Sequence, residues 1–263
     1  HCEVLALRRA QHPFIVRLER AFQTAEHFAL LLELCPTDLN RELCQPDAQG
    51  LSLGLQEVRA ARYLAQILLA LTYLHNKEDV FRDVKPENIL ISADDDAKLT
   101  DFGLATEVSS GGAIAFTGTV GFLAPELSRL NTEDASSIRS GGCRKPRKGD
   151  PYKCDAYSFG VTLQMTLLGT DGARRREVRK KGPTMLPLLI DEEENTYMCS
   201  QLLESGRLSV AAHDLLVRRL LPFDPNMRSR LVAPEVMQHA FFLESLGCRD
   251  IATRLLPAQC QES

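Results

Sequence analysis

Arg82-Asp83-Val84-Lys85-Pro86-Glu87-Asn88, followed eighteen residues beyond Asp83 by Asp101-Phe102-Gly103, is the stretch on which the fold turns. Its residue types suit one chemistry. A carboxylate at Asp83 can accept a proton from a hydroxyl, and the Lys85 ammonium can neutralise a phosphate. The Asn88 amide oxygen and the Asp101 carboxylate are the hard donors that Mg²⁺ takes. Between them, Ile89-Leu90-Ile91 reads as a strand, Asp94-Asp95-Asp96 as a turn and Ala97-Lys98-Leu99-Thr100 as a second strand. A hairpin of that size brings Asn88 and Asp101 together over one metal ion.

Asp-Phe-Gly alone means little, so the surrounding sequence has to carry the reading. Gly118-Thr119-Val120-Gly121-Phe122-Leu123-Ala124-Pro125-Glu126, then Asp155-Ala156-Tyr157-Ser158-Phe159-Gly160-Val161, then Asp224-Pro225-Asn226-Met227-Arg228 follow in order. Together the five stretches resemble eukaryotic protein kinases: catalytic loop, magnesium loop, end of the activation segment, start of a buried helix, and a late arginine that pairs with the glutamate of Ala-Pro-Glu. Here those last partners would be Arg228 and Glu126. The resemblance covers nearly everything from Glu3 to Phe242. It implies an α+β, protein-kinase-like two-lobed fold with an incomplete small lobe and a mostly helical large lobe.

The resemblance assigns roles. Asp83 is the general base and orienter of a substrate hydroxyl, and Lys85 neutralises the transferring phosphoryl group. A turn aspartate capping backbone amides would explain Asp83 alone; Lys85 and Asn88 at their spacing favour catalysis. Asn88 and Asp101 are the Mg²⁺ ligands and ATP is the phosphoryl donor. Lys85 together with Thr119 is similar to the serine/threonine branch. Glu3 sits where the family places a helix glutamate that pairs with the nucleotide-gripping lysine. Glu33-Leu34-Cys35 resembles the hinge that meets the adenine edge, with Leu32 guarding the rear pocket, Asp38 within reach of a ribose hydroxyl and Leu90 beneath the adenine ring. Leu7, Leu18, Phe81 and Phe102 match an apolar column linking the lobes. Phe81 departs from the usual His or Tyr, which keeps stacking and loses one hydrogen bond, a cost of about 1 kcal/mol.

Arg82, before the catalytic aspartate, matches an arginine that docks a phosphate on the activation segment. The acceptor is not obvious: Ala115 stands four residues before Thr119, and Thr117, Ser109 and Ser110 are nearby alternatives. His12-Pro13-Phe14-Ile15-Val16 and Asp83–Asn88 look most like the AGC group or its calcium/calmodulin-regulated neighbours. Only twenty-one residues follow Phe242, and no Phe-x-x-Phe tail motif appears among them.

Working outward, residues 3–10 read as a short helix stopped by His12-Pro13-Phe14. Ile15–Leu18 and Phe28–Leu34 read as strands flanking a turn at Thr24-Ala25-Glu26. Residues 55–76 place Val58, Ala61, Leu64, Ile67, Leu68, Leu71 and Leu74 at helical spacing. Further helices are expected over 155–169, 210–221 and 234–241. The domain reading is a small-lobe remnant over 1–34, a hinge over 35–38, a large lobe over 39–243 with an insertion at about 129–151, and a tail over 244–263. The insertion, with its basic Arg144-Lys145-Pro146-Arg147-Lys148, reads as a solvated loop or a docking patch for an acidic partner, and Asp191-Glu192-Glu193-Glu194 reads as a solvated loop.

Composition narrows the class. The 263 residues are 44% hydrophobic and 25% charged, an ordinary globular profile. No apolar run reaches bilayer length, and His1-Cys2-Glu3 opens without a secretory signal. The eight cysteines form no Cys-x-x-Cys pair, so free thiols in a cytoplasmic or nuclear setting are expected. A net charge of −4 gives no reason to expect nucleic acid. The expected partners are ATP, a protein substrate with a Ser or Thr acceptor, and a regulatory partner or upstream kinase.

The resemblance starts in the middle of the family pattern. No Gly-x-Gly-x-x-Gly and no Val-Ala-x-Lys occurs in the 263 residues, and truncation of a longer protein is the expected reason. A pseudokinase scaffold is therefore the competing function, set against the intact Asp83, Lys85, Asn88 and Asp101. A small-molecule kinase of the aminoglycoside type is disfavoured by the Gly-Thr…Ala-Pro-Glu segment, which builds a peptide-binding surface. Without a phosphate cradle, the chain as given is expected to bind Mg-ATP more weakly than micromolar, with little or no activity; calorimetry showing micromolar affinity would refute this.

Overall fold

The structure, a computed structural model, describes residues 2–24, 26–45, 54–108, 113–114, 117–128, 147–169 and 192–258. Helix α1 (Cys2–Arg9) carries Glu3 in its first turn and Arg8 and Arg9 in its last, the arrangement that suits the helix dipole. It buries Leu7 and ends before His12-Pro13. A hairpin follows, β1 (Leu18–Gln23) against β2 (Phe28–Leu32), paired antiparallel from Leu18↔Leu32 to Gln23↔Phe28.

The first strand thus lies later than the apolar run Ile15–Leu18 suggested, and the second stops at Leu32 instead of Leu34. Ile15 and Val16 are buried for another reason. Val16 N–H donates to the Leu99 carbonyl and Leu99 N–H donates to Phe14, both at 2.9 Å, so this run ties the small lobe to the strand before Asp101. The true strand, Leu-Glu-Arg-Ala-Phe-Gln, is exposed at most positions and carries little apolar alternation.

His12 sits in the turn after α1. Its Nδ1 accepts from Phe14 N–H at 3.1 Å, and its ring packs against Phe14 and Tyr73. Burial pushes its pKa down to about 4. The unfolded chain binds the proton near pH 6.5 and the folded chain resists it, so this site's stability contribution is complete above pH 6.5 and falls with pH toward about 4. The loss approaches about 1.4 kcal/mol per pH unit in that window. Urea titrations across it should show a shallower slope for His12→Gln.

Most of the chain is helical. Strand β3 (Thr37–Asp38) leads into α2 (Leu39–Cys44), whose N-cap is Asp38. The long α3 (Glu57–Asn76) buries Leu64, Ile67, Leu68 and Leu71 on the core side, together with Gln66. That glutamine fixes the next hairpin: its side-chain oxygen accepts from Ala97 N–H at 2.8 Å and its Nε2 donates to Asp96 at 2.5 Å. Arg62 reaches Asp95 and Asp96 at 2.9 and 3.0 Å. After β4 (Asp79–Val80), the hairpin β5 (Ile89–Ile91) and β6 (Ala97–Leu99) matches the expected strands, and β5 also pairs with β3. Strand β7 (Thr106–Glu107) returns to β4, and β8 (Ala113–Ile114) pairs with β9 (Arg147–Lys148).

Helix α4 (Pro151–Leu168) is buried on nearly every side. It begins four residues before Asp155 because Asp150 caps it and Pro151 supplies a preset first turn. Gly160 allows close approach: a Cβ there would lie 2.7 Å from that of Leu220. Helices α5 (Glu192–Glu204) and α6 (Val210–Asp214) follow, and α6 runs on as a π-helical turn over Leu215–Leu220. The helix expected over 234–241 divides into α7 (Pro234–Met237) and α8 (Ala240–Leu246), with His239 capping the second. Helix α9 (Ile251–Leu255) closes the described part. The insertion between 129 and 146, Ser109, Ser110, Ala115 and Asp191 lie outside the described residues.

Candidate active site

The loop from Phe81 to Asn88 is held from below by α4. Asp155, the one acid in α4 and buried there, accepts from Phe81 N–H at 2.9 Å and Arg82 N–H at 2.7 Å. Its Oδ2 also lies 2.9 Å from His75 Nε2 at the end of α3. Arg82 takes a left-handed backbone (φ 71°), a conformation unusual for a side-chain-bearing residue, and two hydrogen bonds from the loop that contains it to one carboxylate hold it in place. The sequence reading used Asp155 only to mark a helix start. A lone acid inside an apolar run was the available signal, because a buried carboxylate needs donors around it.

On this base three predicted residues converge. Lys85 Nζ donates to Asp83 Oδ2 at 2.6 Å, and Asn88 Nδ2 donates to the same oxygen at 2.9 Å and to the Asp83 carbonyl at 2.9 Å. Thr119, from the activation segment, joins them. Its hydroxyl donates to Asp83 Oδ1 at 2.6 Å and accepts from Lys85 at 2.7 Å. Asp83 and Asn88 are buried, 5% exposed each, so these charges meet where water screens them weakly. Gly118 brings Thr119 in at φ 123°; a Cβ there would stand 2.6 Å from the Arg82 carbonyl.

Asp101 lies one step along the hairpin. Thr100 N–H donates to the Asn88 carbonyl at 3.0 Å, which sets Asp101 beside the Asn88 turn. Asp101 has φ 63°, is exposed, and accepts from Gly103 N–H at 3.3 Å. Asn88 commits its Nδ2 to Asp83 and leaves Oδ1 without a partner among the described residues. This pair of hard oxygen donors fits Mg²⁺, which is ordinarily held by one or two protein groups plus phosphate oxygens and water. Among the described residues no cage of three His, Cys, Asp or Glu side chains forms.

The other predicted residues lie on α1, on β2 and just beyond it, and on β3 and β5. Glu33 Oε1 accepts from Arg17 N–H at 3.1 Å, and the carboxylate pairs with Lys98 at 2.8 and 3.0 Å. Cys35 is half-buried, and burial, then Glu33, pushes its thiol pKa up. Asp38 accepts from Arg41 N–H at 2.9 Å as the α2 cap. Leu90 stands opposite Asp38 across β3–β5, and Leu32 and Leu90 pack half-buried on the core. Glu3 has no described cation beside it, although α1 packs on the Phe102–Leu104 turn. Phe81 and Phe102 are fully buried edge to face, centroids 5.3 Å apart, with Leu7 in the same core and Leu18 against it.

Arg228 meets Glu126 as expected, with Nη1 to Oε1 at 2.8 Å and Nη2 to Oε2 at 3.2 Å. It also donates to the Pro222 and Lys153 carbonyls and lies 4.8 Å over the Tyr157 ring. Arg82 and Thr117 line one small cavity with Cys154 and Ser158. Burial lowers the Arg82 pKa and, with Glu126, raises that of Cys154.

Comparison with known proteins accords with this geometry. The family model described as "Protein kinase domain" matches residues 1–242. Ribosomal protein S6 kinase alpha-3 from Homo sapiens is 34% identical over 244 residues, covering 90% of this chain and 28% of that protein. RAC-beta serine/threonine-protein kinase from Homo sapiens is 30% identical over 269 residues, covering 97% of this chain and 47% of that protein. Sperm motility kinase 2B from Mus musculus is 29% identical over 261 residues, covering 99% and 45%. The chain therefore spans from about a quarter to just under half the length of these relatives. No helix among the described residues is long and apolar enough to cross a membrane. With a matching family model over nearly its whole length and a hydrogen-bonded Asp-Lys-Asn-Thr cluster at its centre, this chain belongs to the protein kinase domain family.

Proposed function

We propose that the chain carries the catalytic large lobe of a serine/threonine protein kinase, which transfers the ATP γ-phosphoryl group to Ser or Thr hydroxyls of a protein. The observation that supports this best is Asp83 Oδ1 accepting a Thr hydroxyl at 2.6 Å while Lys85 touches both. A substrate hydroxyl placed at the same carboxylate would be oriented and would lose its proton to it. Lys85, an ammonium beside that carboxylate, would offset negative charge gathering on the acceptor side. Asn88 Oδ1 and the Asp101 carboxylate would hold Mg²⁺, which when bound would neutralise phosphate charge. Glu33, Cys35, Leu32 and Leu90 would form the adenine side of the cleft, with Asp38 at the ribose. Most of this machinery is positioning, as phosphoryl transfer requires. A cytoplasmic or nuclear setting, with a Ser/Thr protein as substrate, belongs to the same reading.

Glu3 favours the second reading, a binding or scaffold module in a kinase fold, because no described lysine pairs with it. Protein from the complete reading frame, incubated with Mg-ATP and Ser/Thr peptides, separates the two. Phosphoserine or phosphothreonine that requires Mg²⁺ is expected. Nucleotide binding without any transfer would replace the kinase with the scaffold.

A further inference from the structure

The pairing of β8 with β9 joins distant parts of the sequence. Ala113↔Lys148 and Ile114↔Arg147 form an antiparallel bridge between the activation segment and the returning arm of the insertion. Directly after β9, Gly149 fits against Ile114 with no room to spare: a Cβ there would stand 2.6 Å from Ile114 Cδ1, 2.9 Å from Cγ1 and 3.0 Å from Cγ2. The arm is rooted firmly. Asp150 caps α4 by accepting from Tyr152 N–H at 3.2 Å and is paired with Arg230 at 2.7 Å. Ile114 itself is only 6% exposed and lines the same cavity as Arg82 and Thr117.

A second anchor lies downstream. Ser158, on α4, donates to the Phe122 carbonyl at 2.6 Å. The stretch carrying Thr119 is therefore fastened on both flanks, to the arm just before α4 through Ile114 and Gly149 and to α4 itself through Phe122 and Ser158. In segments ordered by phosphorylation, an anion on an arginine does this work. Here the residue beside Ile114 is Ala115, which has no hydroxyl to modify, and the segment's nearest hydroxyl in the Arg82 cavity is that of Thr117.

We propose that Ile114, seated on Gly149 and paired through β8–β9 with the insertion's returning arm, is a positioning residue that orders the activation segment without a phosphate on it. The geometry stands by itself; its consequence for activity rests on the kinase reading. The arm over 147–150 is then a strut for the segment that sets Thr119 between Asp83 and Lys85. Gly149→Ala is the selective perturbation, because Gly149 is not among the positive-φ glycines and its new methyl group would act mainly on Ile114.

Hydrogen exchange on unphosphorylated protein tests this. Gly149→Ala and Ile114→Ser should each speed exchange across residues 113–121 by about tenfold or more, while α4 stays protected and Ile114→Val behaves like the parent. Equal exchange in parent and both perturbing variants would overturn the proposal, and Gly149→Ala keeps the test open should Ile114→Ser fail to fold. In the protein from the complete reading frame, Gly149→Ala should raise KM for the protein substrate more than for ATP, and phosphatase treatment should leave the parent's rate within about twofold. A parent that loses transfer on phosphatase treatment would also overturn it. Exchange shifted as expected with no transfer from any form would count against the kinase reading and leave the ordering role standing.

Discussion

Replacing Asp83 by Asn in protein from the complete reading frame is expected to lower phosphoryl transfer by about 10²–10⁴-fold, the range that one positioned general base supplies. The amide keeps the shape and can still accept from Thr119 or Asn88. It cannot take the hydroxyl proton, and it leaves Lys85 without the carboxylate 2.6 Å away. The loss should appear in kcat, since Asp83 acts on the reacting hydroxyl rather than on nucleotide binding. The fold should survive, because the loop's backbone is held by Asp155 and not by Asp83. Rates within a few-fold of the parent would remove Asp83 from the chemistry. A lost fold with unchanged specific activity in the soluble fraction would make it a structural residue.

The largest stability effect is expected at Arg228. Its guanidinium is fully enclosed and satisfied by one carboxylate, two carbonyls and an aromatic face. Arg228→Ala leaves Glu126 as a mostly buried charge with its strongest partner gone. Breaking such a pair from one side costs about 3–5 kcal/mol, a large share of a typical domain's stability. Arg228→Lys should recover little, because a point ammonium cannot span both oxygens of Glu126 and reach Pro222 at once. Removing both charges with Glu126→Gln and Arg228→Met should be milder than Arg228→Ala alone. Denaturant midpoints for the four proteins provide the check. A midpoint for Arg228→Ala close to the parent's would mean that water reaches the pair and that its burial contributes little.

The grouping of Asp83, Lys85 and Asn88 was legible because the three fall on one short stretch that resembles a kinase catalytic loop. The hairpin between Asn88 and Asp101 was legible as two short apolar strands around an acidic turn. The pairing of Arg228 with Glu126, 102 residues apart, was legible only through the resemblance that names both partners. What local pattern could not show was support from elsewhere in the fold. Asp155 reads only as the one acid in a mostly apolar helix until its three donors are seen. Thr119 marked a branch of the family, and only the fold shows its hydroxyl between Asp83 and Lys85. Asp38 read as a ribose contact, yet an aspartate just before Leu39-Asn40-Arg41-Glu42 also carries an N-cap signal, and the structure shows it capping α2. Strand β1 was misplaced because its outward face is polar, whereas the apolar run before it serves a different sheet. The bridge between β8 and β9 had no sequence signal, since Arg147-Lys148 has no strand character of its own.

The account stands on Asp83, Lys85, Asn88 and Asp101 serving one divalent ion and one phosphate. Paramagnetic broadening of amide resonances by Mn²⁺ in the presence of ATP reports on that directly and needs no turnover. Resonances around Asn88 and Asp101–Gly103 should broaden first, with Asp83 and Lys85 next, and Asp101→Asn should weaken the effect by about tenfold or more. Broadening confined to the exposed Glu192 and Glu193, with the Asn88 and Asp101 signals untouched at saturating metal, would contradict the central claim.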